Sequence, residues 1–199
     1  MLRQGKQEFP YPIQFGFRPS QRYKPHPDVD PAVSQADDHL RITDLSSLNA
    51  EDFKLRNTKF LKGDTEYEQT GGESFESLRH QIWATRNGDL RRVLSQFPME
   101  WSLEEQCAGW MHAVVGKHFF PDANHRTAVA LLRRLLDENG IEYSKWSLDR
   151  LGEARQESHT VRREIETVRL DTLYRKDDLY DVWWRFFDDE LRVVEPGDR

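Results

Sequence analysis

The chain has 199 residues, a formal net charge of -6 and one cysteine. That length suits one domain with its own core plus a small extension, and a lone thiol excludes an intramolecular disulfide framework. The mild acidity disfavours a general nucleic-acid binder, which needs a surplus of basic charge against phosphate.

Residues 1–43 read as an extended arm lying against the domain. Pro10, Pro12, Pro19, Pro25, Pro27 and Pro31 break helices and withhold backbone donors from a sheet. Phe9, Tyr11, Phe15, Phe17 and Tyr23 are interleaved with them, more aromatics than a free disordered tail usually carries. The leading segment has no apolar core of a secretory signal. No run approaches the about 18 apolar residues of a membrane span. A cytoplasmic protein without a membrane partner, and without direct contact to nucleic acid, is the expectation.

A domain over residues 44–192 follows, with 193–199 expected as a flexible tail. Capping residues and the apolar Phe53, Leu55, Phe60 and Leu61 predict a first helix between 44 and 62, ending near Gly63. Residues 63–75 are rich in glycine and acid and read as a loop. Ser77 to Trp83 reads as a short extended piece, Asn87-Gly88-Asp89 as a turn, and LRRVLSQF as a short helix stopped by Pro98.

Ser102 and Glu105 fit a capping box. Leu103, Cys107, Trp110, Met111, Val114 and Val115 then recur at helical spacing, predicting a helix to about Lys117 with Cys107 as a packed thiol. Pro121 prevents its continuation. A second helix restarts at 122–124 and stops at Asn139-Gly140. Its run from Ala128 to Leu132 is apolar on all sides, which marks a buried central helix. Two or three helices complete the chain, the last over 177–192. The predicted fold is an all-α bundle around a central buried helix, with room for one small β-hairpin flap.

The chemistry concentrates in His118-Phe119-Phe120-Pro121-Asp122-Ala123-Asn124-His125-Arg126-Thr127. A helix end delivers His118, and a tight loop leads to the N-terminus of the buried helix. Such an N-terminus presents free N–H groups and positive partial charge, a cradle for anions. The amides of Ala123, Asn124, His125 and Arg126 are its candidate members, and Arg126 adds a fixed charge suited to phosphate. Asp122 beside an anion site is repulsive unless a cation such as Mg²⁺ sits between carboxylate and phosphate. His118 is the nearby side chain whose ordinary pKa suits proton transfer near neutrality. Plainer readings stand beside these: Asp122 as a helix cap, Arg126 as a surface charge, and His118 as a helix-end residue. Phe120 reads as a core anchor. His112, His118 and His125 have no recognised zinc spacing, and His80 and His159 give no pattern.

His118-x-Phe120-x-Asp122-Ala123-Asn124-x-Arg126 resembles the signature of the Fic/Doc family, His-x-Phe-x-Asp/Glu-Ala/Gly-Asn-Gly/Lys-Arg. The Asp-Ala-Asn version followed by Arg126-Thr127-Ala128 is closer to the Doc (death-on-curing) branch. GDLRRVLSQFP before the motif and LLRRLLDENGI after it resemble the flanks in that branch, so the likeness covers about residues 86–143.

The resemblance implies an α-helical core and a transferase acting on a protein Ser, Thr or Tyr hydroxyl with Mg²⁺ and ATP or another NTP as donor. Fic enzymes transfer AMP, whereas Doc is a kinase and the toxin of a toxin–antitoxin pair. Carried onto this chain, it makes His118 the general base and Asp122 the Mg²⁺ ligand. Ala123, Asn124, His125 and Arg126 become the phosphate-binding set, with Arg126 also catalytic.

Two positions depart from the pattern. His125 stands where Fic proteins have Gly and Doc has Lys, and a side chain there would crowd the cradle. Val129 replaces a second arginine common in AMP-transferring members. Both favour Doc-like phosphoryl transfer over AMP transfer, and leave open an inactive interaction module. The family's inhibitory Ser/Thr-x-x-x-Glu-Gly/Asn motif is absent, since Asp52 follows Glu51. A separate antitoxin partner stays open, and Ser77 to Trp83 is the candidate target-docking flap.

Overall fold

The computed structural model describes residues 40–61 and 73–191. The expected arm, apart from residues 40–43, and the expected tail lie outside the described residues, as does most of the loop expected at 63–75. The described residues form seven helices: α1 (Ala50–Lys59), α2 (Phe75–Ala84), α3 (Asn87–Ser95), α4 (Leu103–Met111), α5 (Asn124–Glu138), α6 (Leu148–Glu164) and α7 (Asp178–Leu191). The fold is all-α, and no strand occurs among the described residues.

The local signals at three helix starts work as short-range hydrogen-bond geometry requires. Asn49 and Asp52 form a reciprocal capping box on α1, and Ser102 and Glu105 form another on α4. Ser147 caps α6 by accepting from the amide of Arg150. At the far end of α5, Gly140 takes φ 66°, the left-handed stop that glycine adopts without a side-chain clash.

Two expectations are corrected. Ser77 to Trp83 is not extended; it lies within α2. Ser74 caps that helix, and Leu78 and Ile82, four residues apart, bury one face of it. Asn87-Gly88-Asp89 is not a free turn but the opening turn of α3, drawn into helix by the burial of Leu90 and Val93.

Helix α5 carries the core, with Thr127, Ala128, Leu131, Leu132, Leu135 and Leu136 buried. It packs against α1 and α4. Trp110 of α4 fixes the register by donating its Nε1–H to the Ala128 carbonyl at 2.9 Å. Within the apolar run, however, Val129 and Ala130 are only half-buried. Helix α5 is therefore central but open along one groove. Ile42 is fully buried, and its backbone exchanges two hydrogen bonds with the Gln106 side chain (2.7 and 3.0 Å). Cys107 is fully buried, and burial pushes its thiol pKa up.

Helix α4 does not stop at Met111. It widens into a π-helical turn, His112–Gly116, before ending at Lys117. Buried His112 anchors this turn: its Nδ1 lies 2.6 Å from the Leu173 carbonyl and its Nε2 3.1 Å from Asp177. Gly116 sits where a Cβ would come within 2.7 Å of Val168 Cγ2.

Candidate functional site

His118 leaves the π turn with φ 54°, and Ala123 enters α5 with φ 58°. Both are in the left-handed region, uncommon for residues with a side chain. These two reversals fold the intervening four residues into a compact loop that returns His118 to the start of α5. Asn124 pins the loop from inside. Its Oδ1 accepts from the Phe120 amide at 3.0 Å, and its Nδ2 donates to the Phe120 carbonyl at 2.8 Å. The same Nδ2 is 3.2 Å from His118 Nδ1. Phe120, almost fully buried, anchors the loop in the core as expected.

Two residues outside the motif hold it from beneath. Buried Asn57 of α1 donates to the Asp122 carbonyl and to Thr127 Oγ1, both at 2.9 Å. Thr85, following α2, donates to the Phe119 carbonyl at 3.2 Å. Sequence reasoning missed both. Asn57 left a trace, a polar residue four places after Phe53 on the apolar face of α1.

Asp122 and Arg126 are brought together, with Oδ2 and Nη2 3.7 Å apart. The guanidinium also stacks over Phe60 at 5.1 Å. Both side chains are partly exposed, at 25% and 32%. Arg126 thus offsets the charge of Asp122 at the helix N-terminus, where an anion would otherwise meet the full carboxylate charge. A single accessible carboxylate beside a helix N-terminus also fits a Mg²⁺ ion completed by phosphate oxygens, because Mg²⁺ commonly takes only one or two protein carboxylates. No group of three or more His, Cys, Asp or Glu that could hold a metal exists among the described residues.

His125 is turned toward α6. Its Nε2 lies 2.9 Å from Ser158 Oγ, and its ring packs on His159 (centroids 4.7 Å) and Trp183 (5.9 Å). Burial, then the neighbouring His159 and Arg155, hold its pKa down to about 3. His125 is therefore neutral near pH 7, and its backbone amide, not a cationic side chain, is what it offers an anion. His118 is also held neutral, its pKa lowered to about 4 by burial first and then by Arg162 and His159, with Asp122 pulling the other way.

Beside the loop, along the open groove of α5, lies a cavity of about 510 Å³. Arg56, Arg126, Arg133 and Arg155 rim it, Phe60, Val129, Leu151 and Trp183 wall it, and no carboxylate of the described residues lines it. Val129 contributes an apolar side chain to this wall.

The structure also corrects the reading of His159 as patternless. Arg155, Ser158, His159 and Arg162 are spaced i, i+3, i+4 and i+7 on α6, a single helix face turned toward the motif loop. Helical spacing in the sequence carried that signal, but nothing local tied it to residues 33 positions earlier.

No protein-family model, no curated protein and no solved structure matches the chain. No helix among the described residues is long and apolar enough to cross a membrane.

Proposed function

We propose that the chain is a Fic/Doc-like transferase that moves a phosphoryl group from ATP or another NTP to a Ser, Thr or Tyr hydroxyl of a target protein. One observation carries this reading. A histidine held neutral is folded back by a left-handed turn onto the N-terminus of a buried helix, whose first turn bears an arginine. Neutral imidazole accepts protons, and free amides with a guanidinium stabilise charge on phosphoryl oxygens.

In the proposed reaction the acceptor hydroxyl oxygen bonds to phosphorus, and its proton passes to His118 Nε2. The bond from phosphorus to the bridging oxygen breaks, and the nucleoside diphosphate leaves with that electron pair. The Asn124 contact constrains this step. When Asn124 donates to His118 Nδ1, the neutral ring carries its hydrogen on Nε2. The proton-accepting tautomer has it on Nδ1, so this contact loosens as the acceptor docks. Mg²⁺, held by Asp122 and phosphate oxygens, would supply charge neutralisation. The arginine-rimmed cavity suits the non-reacting part of an anionic donor with a flat apolar body.

The test is transfer of labelled ATP to candidate proteins in the presence of Mg²⁺. Label from the γ-phosphate on the target indicates phosphoryl transfer; label from the α-phosphate indicates AMP transfer. His118→Ala is expected to abolish labelling while its melting temperature stays close to that of the wild type. Labelling undiminished in that variant overturns the reading, and labelling by neither form indicates an interaction module. Co-purification with a neighbouring gene's product would identify an antitoxin.

A further inference from the structure

Helix α6 presents positive charge to the motif loop. Ser158, fully buried, holds His125 at 2.9 Å, and the His159 ring lies 4.7 Å from that of His125. One turn further along the same face is Arg162. Its side chain is partly buried, and its Nε is shut off from solvent without a hydrogen-bond partner. Among the described residues no carboxylate pairs with it. A guanidinium taken out of water normally meets a carboxylate or another acceptor, because an unmet buried donor is costly. Arg162 instead faces basic neighbours, and burial followed by Arg163 disfavours its charged form. Among the described residues, Asp122 is the carboxylate that offsets this field at His118. The missing complement is an anion.

We propose that Arg162, presented by α6 beside His118, is a phosphate-binding residue that grips a polyphosphate lying along the motif loop. The proposal rests on the transfer reading only for naming the polyphosphate as the donor's. The bidentate fork of arginine and its fixed charge suit non-bridging phosphoryl oxygens. The anion then supplies the counter-charge that the Arg162 guanidinium lacks among the described residues. Arg126 at the start of α5 and Arg162 on α6 would hold the chain of phosphates from two elements far apart in sequence. Such a two-point grip fixes the angle of the reacting phosphorus as well as its position.

The test is calorimetric titration of the full chain with sodium tripolyphosphate at low ionic strength and neutral pH. Wild type, Arg162→Gln, Arg162→Lys and Arg163→Gln are compared. Removing a charge-assisted bond to a phosphate is expected to weaken binding by about tenfold or more in Arg162→Gln. Arg162→Lys keeps the charge without the fork and falls between the two. Arg163, exposed on the neighbouring face, is expected to change affinity by less than about twofold. The melting temperature of Arg162→Gln should equal or exceed that of the wild type, because a partly buried charge without a counter-charge is removed. Unchanged affinity in Arg162→Gln overturns the proposal, as does a wild type that does not bind tripolyphosphate. Should Arg162→Gln fail to fold, Arg162→Lys with wild-type affinity and geometry-sensitive kcat unchanged overturns it instead. The two readings separate cleanly. Binding through Arg162 without labelling of any protein removes the transferase and leaves this site standing. Labelling by Arg162→Gln at wild-type kcat and KM removes this site and leaves the transferase.

Discussion

Ala123 has φ 58° at the position that starts α5, and it is buried. An alanine pays a steric penalty in this conformation that glycine avoids, while a β-branched residue pays far more. We expect Ala123→Gly to stay within about 1 kcal/mol of the wild type, since relief of the clash offsets the extra freedom of the unfolded chain. Ala123→Val should lose more than about 2 kcal/mol and disturb the loop that carries His118. Urea denaturation of the two variants checks this, and equal stabilities would refute it. The same residue-scale reasoning explains His125. A side chain at this position threatened to crowd the cradle, but Ser158 and the rings of His159 and Trp183 take it up on the α6 side. The residues of the motif were legible one by one because each follows from a local rule: a helix end, a proline, a helix start. The partner of His125 was not, because it is 33 residues away.

Among the elements, the π turn is the one that sequence spacing did not announce. Leu103, Cys107, Trp110, Met111, Val114 and Val115 fit ordinary helical periodicity, and the widened turn at His112–Gly116 follows from how the helix meets its neighbours. Val168 and Leu179 close on Gly116 so tightly that a Cβ would stand 2.7 and 3.0 Å from them. Gly116→Ala is therefore expected to cost about 2 kcal/mol through overpacking. Gly88, in the first turn of α3, has open space around it. Gly88→Ala should gain up to about 1 kcal/mol from helix propensity. A stability difference of the opposite sign between these variants, by chemical denaturation, would contradict the packing account. Helix α2 teaches the converse lesson. Its short apolar content, Leu78 and Ile82 with exposed Phe75 and Trp83, resembles an extended piece until packing buries the two residues four apart.

For the whole molecule, acid sensitivity follows from two histidines kept neutral. Their folded pKa values, about 4 for His118 and about 3 for His125, lie below the ordinary 6.5. Below pH 6.5 the unfolded chain takes up protons that the folded chain refuses, so stability is complete above that pH and falls as pH drops toward 4. The more deeply buried His125 contributes up to about 1.4 kcal/mol per pH unit across that window. Melting temperatures between about pH 7.5, above the ordinary histidine pKa, and about pH 4.5 are expected to decline on the acid side, less steeply in His125→Gln. A profile flat to pH 4.5 in the wild type would refute the burial of neutral histidines. By itself the sequence determined the all-α class, the caps at Ser102 and Gly140, the central helix α5 and the loop that joins His118 to Arg126, because each depends on residues within a turn or two of one another. Only the tertiary structure decided that Asn57 supports the loop, that Val129 faces a cavity and that α6 sets Ser158, His159 and Arg162 beside the motif. Those juxtapositions depend on which faces of distant helices are buried together, and no spacing along the chain encodes that.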